Sequence, residues 1–270
     1  ELGEFMKILS IIIGKLTCFA GKIVHRGSSL PGKLALKIDK RILKKLKYPP
    51  IKLVVTGSSG KGSTAKLIAN VLKDNGYKIC FNSAGSNLKW GITTTCIKNC
   101  NLLGKIKKDV LVLEVDERYT KEIFKDINPN YLIVTNLTKD QPPRQYNVDI
   151  ILDEIKQNLP QDTTIITTMD EPYLRNFSLD LPNNNIYYSI SKNKYSYQKQ
   201  LFENLNTYYC LKCGTKLEYE YYNFETLGKY KCLNCDFKWE EPKVIGNNLN
   251  LEKGTIEIDG RELSIGGDML

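Results

Sequence analysis

Nine residues constrain this chain most: Thr56, Gly57, Ser58, Ser59, Gly60, Lys61, Gly62, Ser63 and Thr64. They follow a short apolar run, Lys52 to Thr56, and precede a helix expected over Ser63 to Asn75. A strand that enters a glycine-rich turn and leaves it as a helix brings successive backbone N–H groups onto phosphate oxygens. Glycine permits the tight turn, and the helix N-terminus adds partial positive charge. Lys61 is placed to reach the β- and γ-phosphates, and a hydroxyl from Ser63 or Thr64 to hold magnesium. The blander alternative is a glycine-rich turn that binds nothing. The strand before it and the helix after it favour ATP.

The surrounding pattern extends this local setting into a fold. Apolar strands are expected at Lys52 to Thr56, Lys78 to Phe81, Asp109 to Glu114, Tyr131 to Thr135 and Thr163 to Thr167. Helices are expected between them, over Ser63 to Asn75, Tyr119 to Asp126 and Val148 to Asn158. Continuous apolar strands alternating with helices indicate an α/β fold whose mainly parallel sheet is flanked by helices. The rhythm is expected to stop near Asn183. Ahead of it, residues 6–47 read as two helices separated by the turn formers Arg26 to Gly32.

The third strand ends in Glu114, Val115, Asp116 and Glu117, at the carboxyl edge where open α/β sheets bind ligands. Magnesium between ATP phosphates needs oxygen ligands of this kind. Glu114 is therefore a candidate magnesium ligand beside Ser63, and with Lys61 a candidate catalytic residue. A solvated acidic strand end is the plainer alternative, weakened by the neighbouring phosphate loop.

Two pairs, Cys210 with Cys213 and Cys232 with Cys235, have the spacing of a zinc ribbon. Four thiolates close a tetrahedral zinc site with no open position, so the metal is expected to be structural. Tyr208, Tyr209, Tyr219, Tyr230, Phe237 and Trp239 could stack on bases. The favoured reading has them covering a ribbon that lacks a core of its own, and no nucleic-acid partner is expected. The other four cysteines are scattered, which suits a reducing, cytoplasmic setting better than a disulfide framework.

The 270 residues suit one large domain, or one domain with a small module. The formal charge of +9 fits nucleic acid, an anionic membrane surface or a phosphate-rich substrate, or simply a basic surface. Residues 1–5 read as a cloning scar before Met6. Met6 to Ala20 is apolar but broken by Gly14 and Lys15, and too short to span a bilayer. A helix covering other parts of the protein, or lying on a membrane surface, is expected instead.

Only Ser58 and Ser59 separate Gly57 from the Gly60-Lys61 pair. This spacing resembles the Mur ligases and folylpolyglutamate synthetases, which activate a carboxylate as an acyl phosphate for attack by an amine. Gly27 to Lys33 with Ala35 and Ile38, and Ser83 to Leu88 with Gly91, narrow the resemblance. So do Leu113 to Glu117, and Thr135 to Gln141 with Arg144 and Tyr146. These segments resemble the MurT-type subunits of lipid II isoglutaminyl synthase. Mur ligases typically carry Asp-His where this chain has Asp140-Gln141, and the synthase subunits carry Asp-Gln. Departures are Ser58-Ser59 for Thr-Asn, Gly62 for threonine, and Pro142-Pro143 for Leu-Asp.

The resemblance implies a central ATP-binding domain over 51–206, after an N-terminal helical segment over 6–50. A zinc ribbon is inserted over 207–240, and a short β segment over 241–270 returns to the central domain. It implies Asn136 and Asp140 as further nucleotide-binding residues, with ATP, Mg2+ and Zn2+ as cofactors. The activity implied is amidation of D-glutamate in the lipid II stem peptide to D-isoglutamine. Ammonia would come from a glutamine amidotransferase (glutaminase) subunit, and the work would be done at the inner face of the membrane. The family continues beyond the point matching Leu270, so this chain alone is expected to bind ATP yet turn it over poorly. The rivals are another Mur- or folylpolyglutamate-type amino-acid ligase, or a non-catalytic protein binding nucleotide or nucleic acid.

Overall fold

Alternating strands and helices build the first of two units into which the chain divides, residues 1–135 with 149–163. The second unit comprises residues 136–148 and 164–270. The computed structural model describes residues 2–23, 29–82, 86–137, 148–201 and 207–264. The expectations placed on Arg26 to Ser28, Ser83 to Gly85, Asp140, Gln141, Pro142, Pro143, Arg144 and Tyr146 lie outside the described residues.

Three helices open the first unit: α1 (Leu2–Ile23), α2 (Leu30–Ile38) and α3 (Ile42–Lys45). The sequence suggested two. Leu30, Pro31 and Gly32, expected in the break, form the first turn of α2, where the missing N–H of proline removes no intrahelical bond. The expected second helix divides at Asp39, whose backbone is extended. Its carboxylate accepts from the Arg41 N–H at 3.0 Å and from Lys45 Nζ at 2.6 Å, which fixes the new start. Leu2 to Phe5, read as a scar, join α1.

Next come β1 (Ile51–Thr56), α4 (Lys61–Asp74), β2 (Ile79–Phe81), α5 (Lys89–Asn99) and β3 (Val110–Glu114). They are followed by α6 (Thr120–Phe124), β4 (Tyr131–Val134) and α7 (Val148–Asn158). These four strands run parallel in the order β4-β1-β3-β2. All five residues of β3 are buried, as a strand covered on both faces requires. Helix α5 was not expected from the sequence. It packs against α2 so closely that a Cβ on Gly32 would stand 1.8 Å from the Trp90 carbonyl oxygen. The Gly32 N–H donates to Thr94 Oγ1 at 2.8 Å. Only glycine allows that crossing.

The second unit contains β5 (Thr164–Thr168), α8 (Pro172–Leu179) and β6 (Asn185–Ile190), so the rhythm does not stop near Asn183. A hairpin follows, β7 (Leu217–Phe224) with β8 (Leu227–Cys232), then β9 (Val244–Asn250), β10 (Thr255–Ile258) and β11 (Arg261–Ser264). The hairpin is a separate two-stranded sheet. The other strands run in the order β11-β10-β9-β6-β5. β5, β6 and β9 are parallel, and β9, β10 and β11 form an antiparallel meander.

Candidate functional site

The register of the first sheet brings the two chemical motifs together. Val55 on β1 pairs with Glu114 on β3 and with Ile133 on β4, so the loop after Thr56 emerges beside the acidic strand end. Gly57 has φ of 139° and Gly60 of 74°. Gly60 caps α4, and a Cβ there would meet nothing within 4 Å. Its requirement is therefore the left-handed backbone rather than space. Two threonines pin the loop. Thr56 Oγ1 donates to the Val115 carbonyl at 2.9 Å, and Thr135 Oγ1 to the Ser59 carbonyl at 2.8 Å.

Lys61 begins α4 and points back into this corner. Its Nζ donates to the Ser58 carbonyl at 3.1 Å and lies 3.2 Å from Glu117 Oε2. Ser63 is exposed and Thr64 half-buried in the first turn of α4.

Glu114 is buried and oriented from several sides. Asn82 Oδ1 accepts its N–H at 2.8 Å, and Asn82 Nδ2 donates to its carbonyl at 2.8 Å. Asn87 Nδ2 donates to Glu114 Oε1 at 3.1 Å. The other carboxylate oxygen faces α4, since a Cβ on Gly62 would stand 3.2 Å from Glu114 Oε2. A carboxylate against the first turn of a helix is electrostatically favourable. It is also directed toward the phosphate loop. Asp116 is taken up by Arg118, with Arg118 Nε at 2.8 Å from Asp116 Oδ1. Burial pushes the Asp116 carboxyl up, but the bonds and charge of Arg118 outweigh it and hold the carboxyl below its ordinary value.

The structure thus sets the Glu114 carboxylate against Gly62 and Lys61 against Glu117. Asn136, which directly follows Thr135, is half-buried in the second unit, and Asp140 lies outside the described residues. Sequence reasoning missed Asn82, Asn87 and Thr135 as supports, and Glu117 as the partner of Lys61. The only available signal was that Asn87, Glu117 and Thr135 fall in segments quoted for the family resemblance.

In the second unit the four cysteines converge. The Sγ atoms of Cys210, Cys213, Cys232 and Cys235 all lie within 4.8 Å of one another. Cys210 and Cys235 are 3.5 Å apart, and Cys213 and Cys232 are 3.4 Å apart. Zinc bonded tetrahedrally to sulfur at about 2.3 Å would separate its ligands by about 3.8 Å, so the set fits that ion. Tight turns shape both pairs. The Gly214 N–H donates to the Cys210 carbonyl at 2.8 Å, and the Asn234 N–H to Cys232 Sγ at 3.4 Å. The hydroxyl and N–H of Thr215 pull the Cys213 thiol down to about 6, toward the thiolate that binds metal. Leu217, Tyr230 and Phe237 pack behind the sulfurs, with Tyr219 and Trp239 against them, so these aromatics cover the ribbon.

The ribbon is tied to β5 and β6 through Asp170. Its carboxylate accepts from Trp239 Nε1 at 2.8 Å and Ser189 Oγ at 2.6 Å, and its carbonyl accepts from the Gly228 N–H at 3.0 Å. The neighbouring Glu171 caps α8, accepting from the Leu174 N–H at 2.8 Å. Burial pushes its carboxyl up to about 7.

Residues 55–235 match the family described as Mur ligase middle domain. The chain is 29% identical over 211 residues to the lipid II isoglutaminyl synthase (glutamine-hydrolyzing) subunit MurT of Staphylococcus aureus strain COL. That alignment covers 77% of this chain and 47% of the relative. The subunit of the same name from Streptococcus pneumoniae strain R6 is 31% identical over 233 residues, covering 77% of this chain and 51% of the relative. The chain spans about half the length of the curated relatives it matches. Among solved structures, MurF ligase from Thermotoga maritima in complex with ADP aligns at 18% identity with a TM-score of 0.47. It covers 77% of this chain and 44% of that one.

Proposed function

This chain belongs to the Mur ligase family through its middle domain, and from that premise we propose that it is the ATP-binding part of a peptidoglycan amide ligase. The observation that carries the reading is the glycine loop at the N-terminus of α4, with Lys61 Nζ 3.2 Å from Glu117 Oε2 and the Glu114 carboxylate facing Gly62. The similarity to subunits named MurT supports the finer assignment, in which the α-carboxylate of D-glutamate in lipid II becomes an amide.

In this reading a carboxylate oxygen of the acceptor attacks the γ-phosphorus, and ADP departs. Ammonia then attacks the acyl carbon of the acyl phosphate, phosphate leaves, and the nitrogen loses a proton. Loop N–H groups and Lys61 hold the phosphates and offset charge that builds on the transferring phosphoryl group. Glu114 and the Ser63 hydroxyl would hold magnesium, which supplies further neutralisation when bound. Asn82 and Asn87 keep Glu114 aimed at the loop. The cysteine centre would hold structural zinc, away from any chemical step. A glutaminase subunit supplies the ammonia, and the lipid anchor of the acceptor places the work at the inner face of the membrane.

The test is purification from the native cells followed by an assay with lipid II, ATP and glutamine. The expected outcome is a co-purifying glutaminase and a product with the mass of a carboxyl-to-amide exchange. A product extended by an amino acid would overturn amidation in favour of another ligase. Absence of nucleotide binding would overturn the ligase reading altogether.

A further inference from the structure

Helix α1 buries one face and leaves the other bare. Ser10, Ile11 and Gly14 face inward, with Ser10 Oγ donating to the Ala35 carbonyl of α2 at 2.8 Å. On the opposite face Phe5, Ile12, Leu16 and Phe19 are 61, 37, 63 and 68% exposed. Leu2 extends the same line at 76%. Spacings of three, four and seven set these side chains in a single stripe along the helix. An isolated exposed leucine needs no explanation, but a continuous stripe of large apolar residues does.

The charge of the chain is concentrated in the same segment. Residues 1–47 hold eleven Lys and Arg against three Asp and Glu, a net +8 of the chain's +9. The remaining residues are nearly neutral. Lys33, Lys37, Lys40, Arg41 and Lys44 are exposed on α2, α3 and the turn between them. Helix α2 packs along the inward face of α1, and Lys45 Nζ of α3 reaches the Gly3 carbonyl at 3.1 Å, so these cations lie on elements packed directly against α1.

We infer that α1 docks on an anionic lipid bilayer, lying in the interface with Ile12, Leu16 and Phe19 in the acyl boundary. A cationic segment carrying large apolar side chains on one helix face has the chemistry of an interfacial anchor. Anionic headgroups would attract the exposed lysines and Arg41 of the neighbouring α2, α3 and turn. A second copy of this chain would bring like charge against like charge. Among the described residues no helix is long and apolar enough to cross a membrane, so α1 lies along the surface rather than through it.

The experiment is flotation of the 270-residue chain with vesicles of phosphatidylglycerol and phosphatidylcholine, against vesicles of phosphatidylcholine alone. Binding is expected only to the anionic vesicles, and it should weaken as salt rises. The double substitution Leu16→Ser with Phe19→Ser should lower vesicle affinity at least tenfold while ATP affinity and helix content are retained. Equal binding to both vesicle types, or to neither, would overturn the inference. So would a wild-type dimer that the same double substitution dissociates, since the stripe would then be a contact between copies.

Discussion

Lys61 Nζ lies 3.2 Å from Glu117 Oε2 and donates at 3.1 Å to the Ser58 carbonyl, so the loop lysine is held by its own protein. Both side chains are largely buried, and among the described residues Glu117 Oε2 has no hydrogen-bond partner. A phosphate that takes Lys61 must compete with Glu117 and leave that carboxylate behind. Glu117→Gln should therefore tighten ATP by roughly an order of magnitude while lowering the melting temperature of the ligand-free chain. Calorimetric titration with a thermal melt decides it. Weaker or unchanged ATP affinity would mean Glu117 assists the nucleotide rather than competing with it.

Removing the lysine has two effects for the same reason. Lys61→Ala deletes a charge-assisted contact worth about 1.5–3 kcal/mol, so ATP affinity should fall about tenfold or more. It also strands a buried carboxylate and should destabilise the fold. The pair Lys61→Ala with Glu117→Gln separates the two, recovering stability without recovering affinity. Full ATP affinity in a folded Lys61→Ala chain would remove the loop as the phosphate site.

Glu114→Gln keeps an oxygen for Asn87 and keeps the packing against Gly62, but loses the charge. Titration with and without magnesium should show the loss mainly in the magnesium-dependent part of ATP binding. An equal loss under both conditions would assign Glu114 to shaping the loop instead of holding metal.

The loop and the strand end were legible because local signals agree there: an apolar strand, glycines, a helix start, and carboxylates at a strand terminus. Helix α5 was not legible. Gly91, Ile92, Thr93, Thr94, Cys96 and Ile97 are all buried, so burial nearly all round leaves little one-sided pattern, and threonine and glycine are weak helix formers. Strand β6 was hidden behind Asn183 and Asn184, which look like a terminus and lead directly into the strand. Asn82 and Asn87 were invisible because their partner stands 32 and 27 residues away. The ribbon was the easiest part to read, since metal spacing survives whatever the rest of the chain does.

For the ribbon, elemental analysis should find about one zinc per chain. Cys210→Ser with Cys213→Ser should abolish it and lower the melting temperature, because metal binding there is folding energy. A metal-free native protein with four freely titrating thiols would contradict the assignment.

Glu171 adds a pH dependence. Burial raises its carboxyl from 4.5 to about 7, so the folded state holds this proton more tightly than the unfolded state. Its contribution to stability is present in full below about pH 4.5 and is lost as pH rises through about 7. The size is on the order of a few kcal/mol. Glu171→Gln keeps a cap oxygen for Leu174 and should flatten the melting temperature across that window. An unchanged pH profile in the variant would place the titration elsewhere.

The crossing at Gly32 has a consequence for how the chain can diverge. Helices α2 and α5 touch through main-chain atoms, with no room for a Cβ against the Trp90 carbonyl. A contact between side chains can drift, because a change on one helix can be answered by a change on the other. A contact between backbones offers nothing to exchange. Descendants of this sequence remain at liberty to rewrite the lysines around position 32, but that position admits a single residue, and no second-site change short of parting the helices would release it.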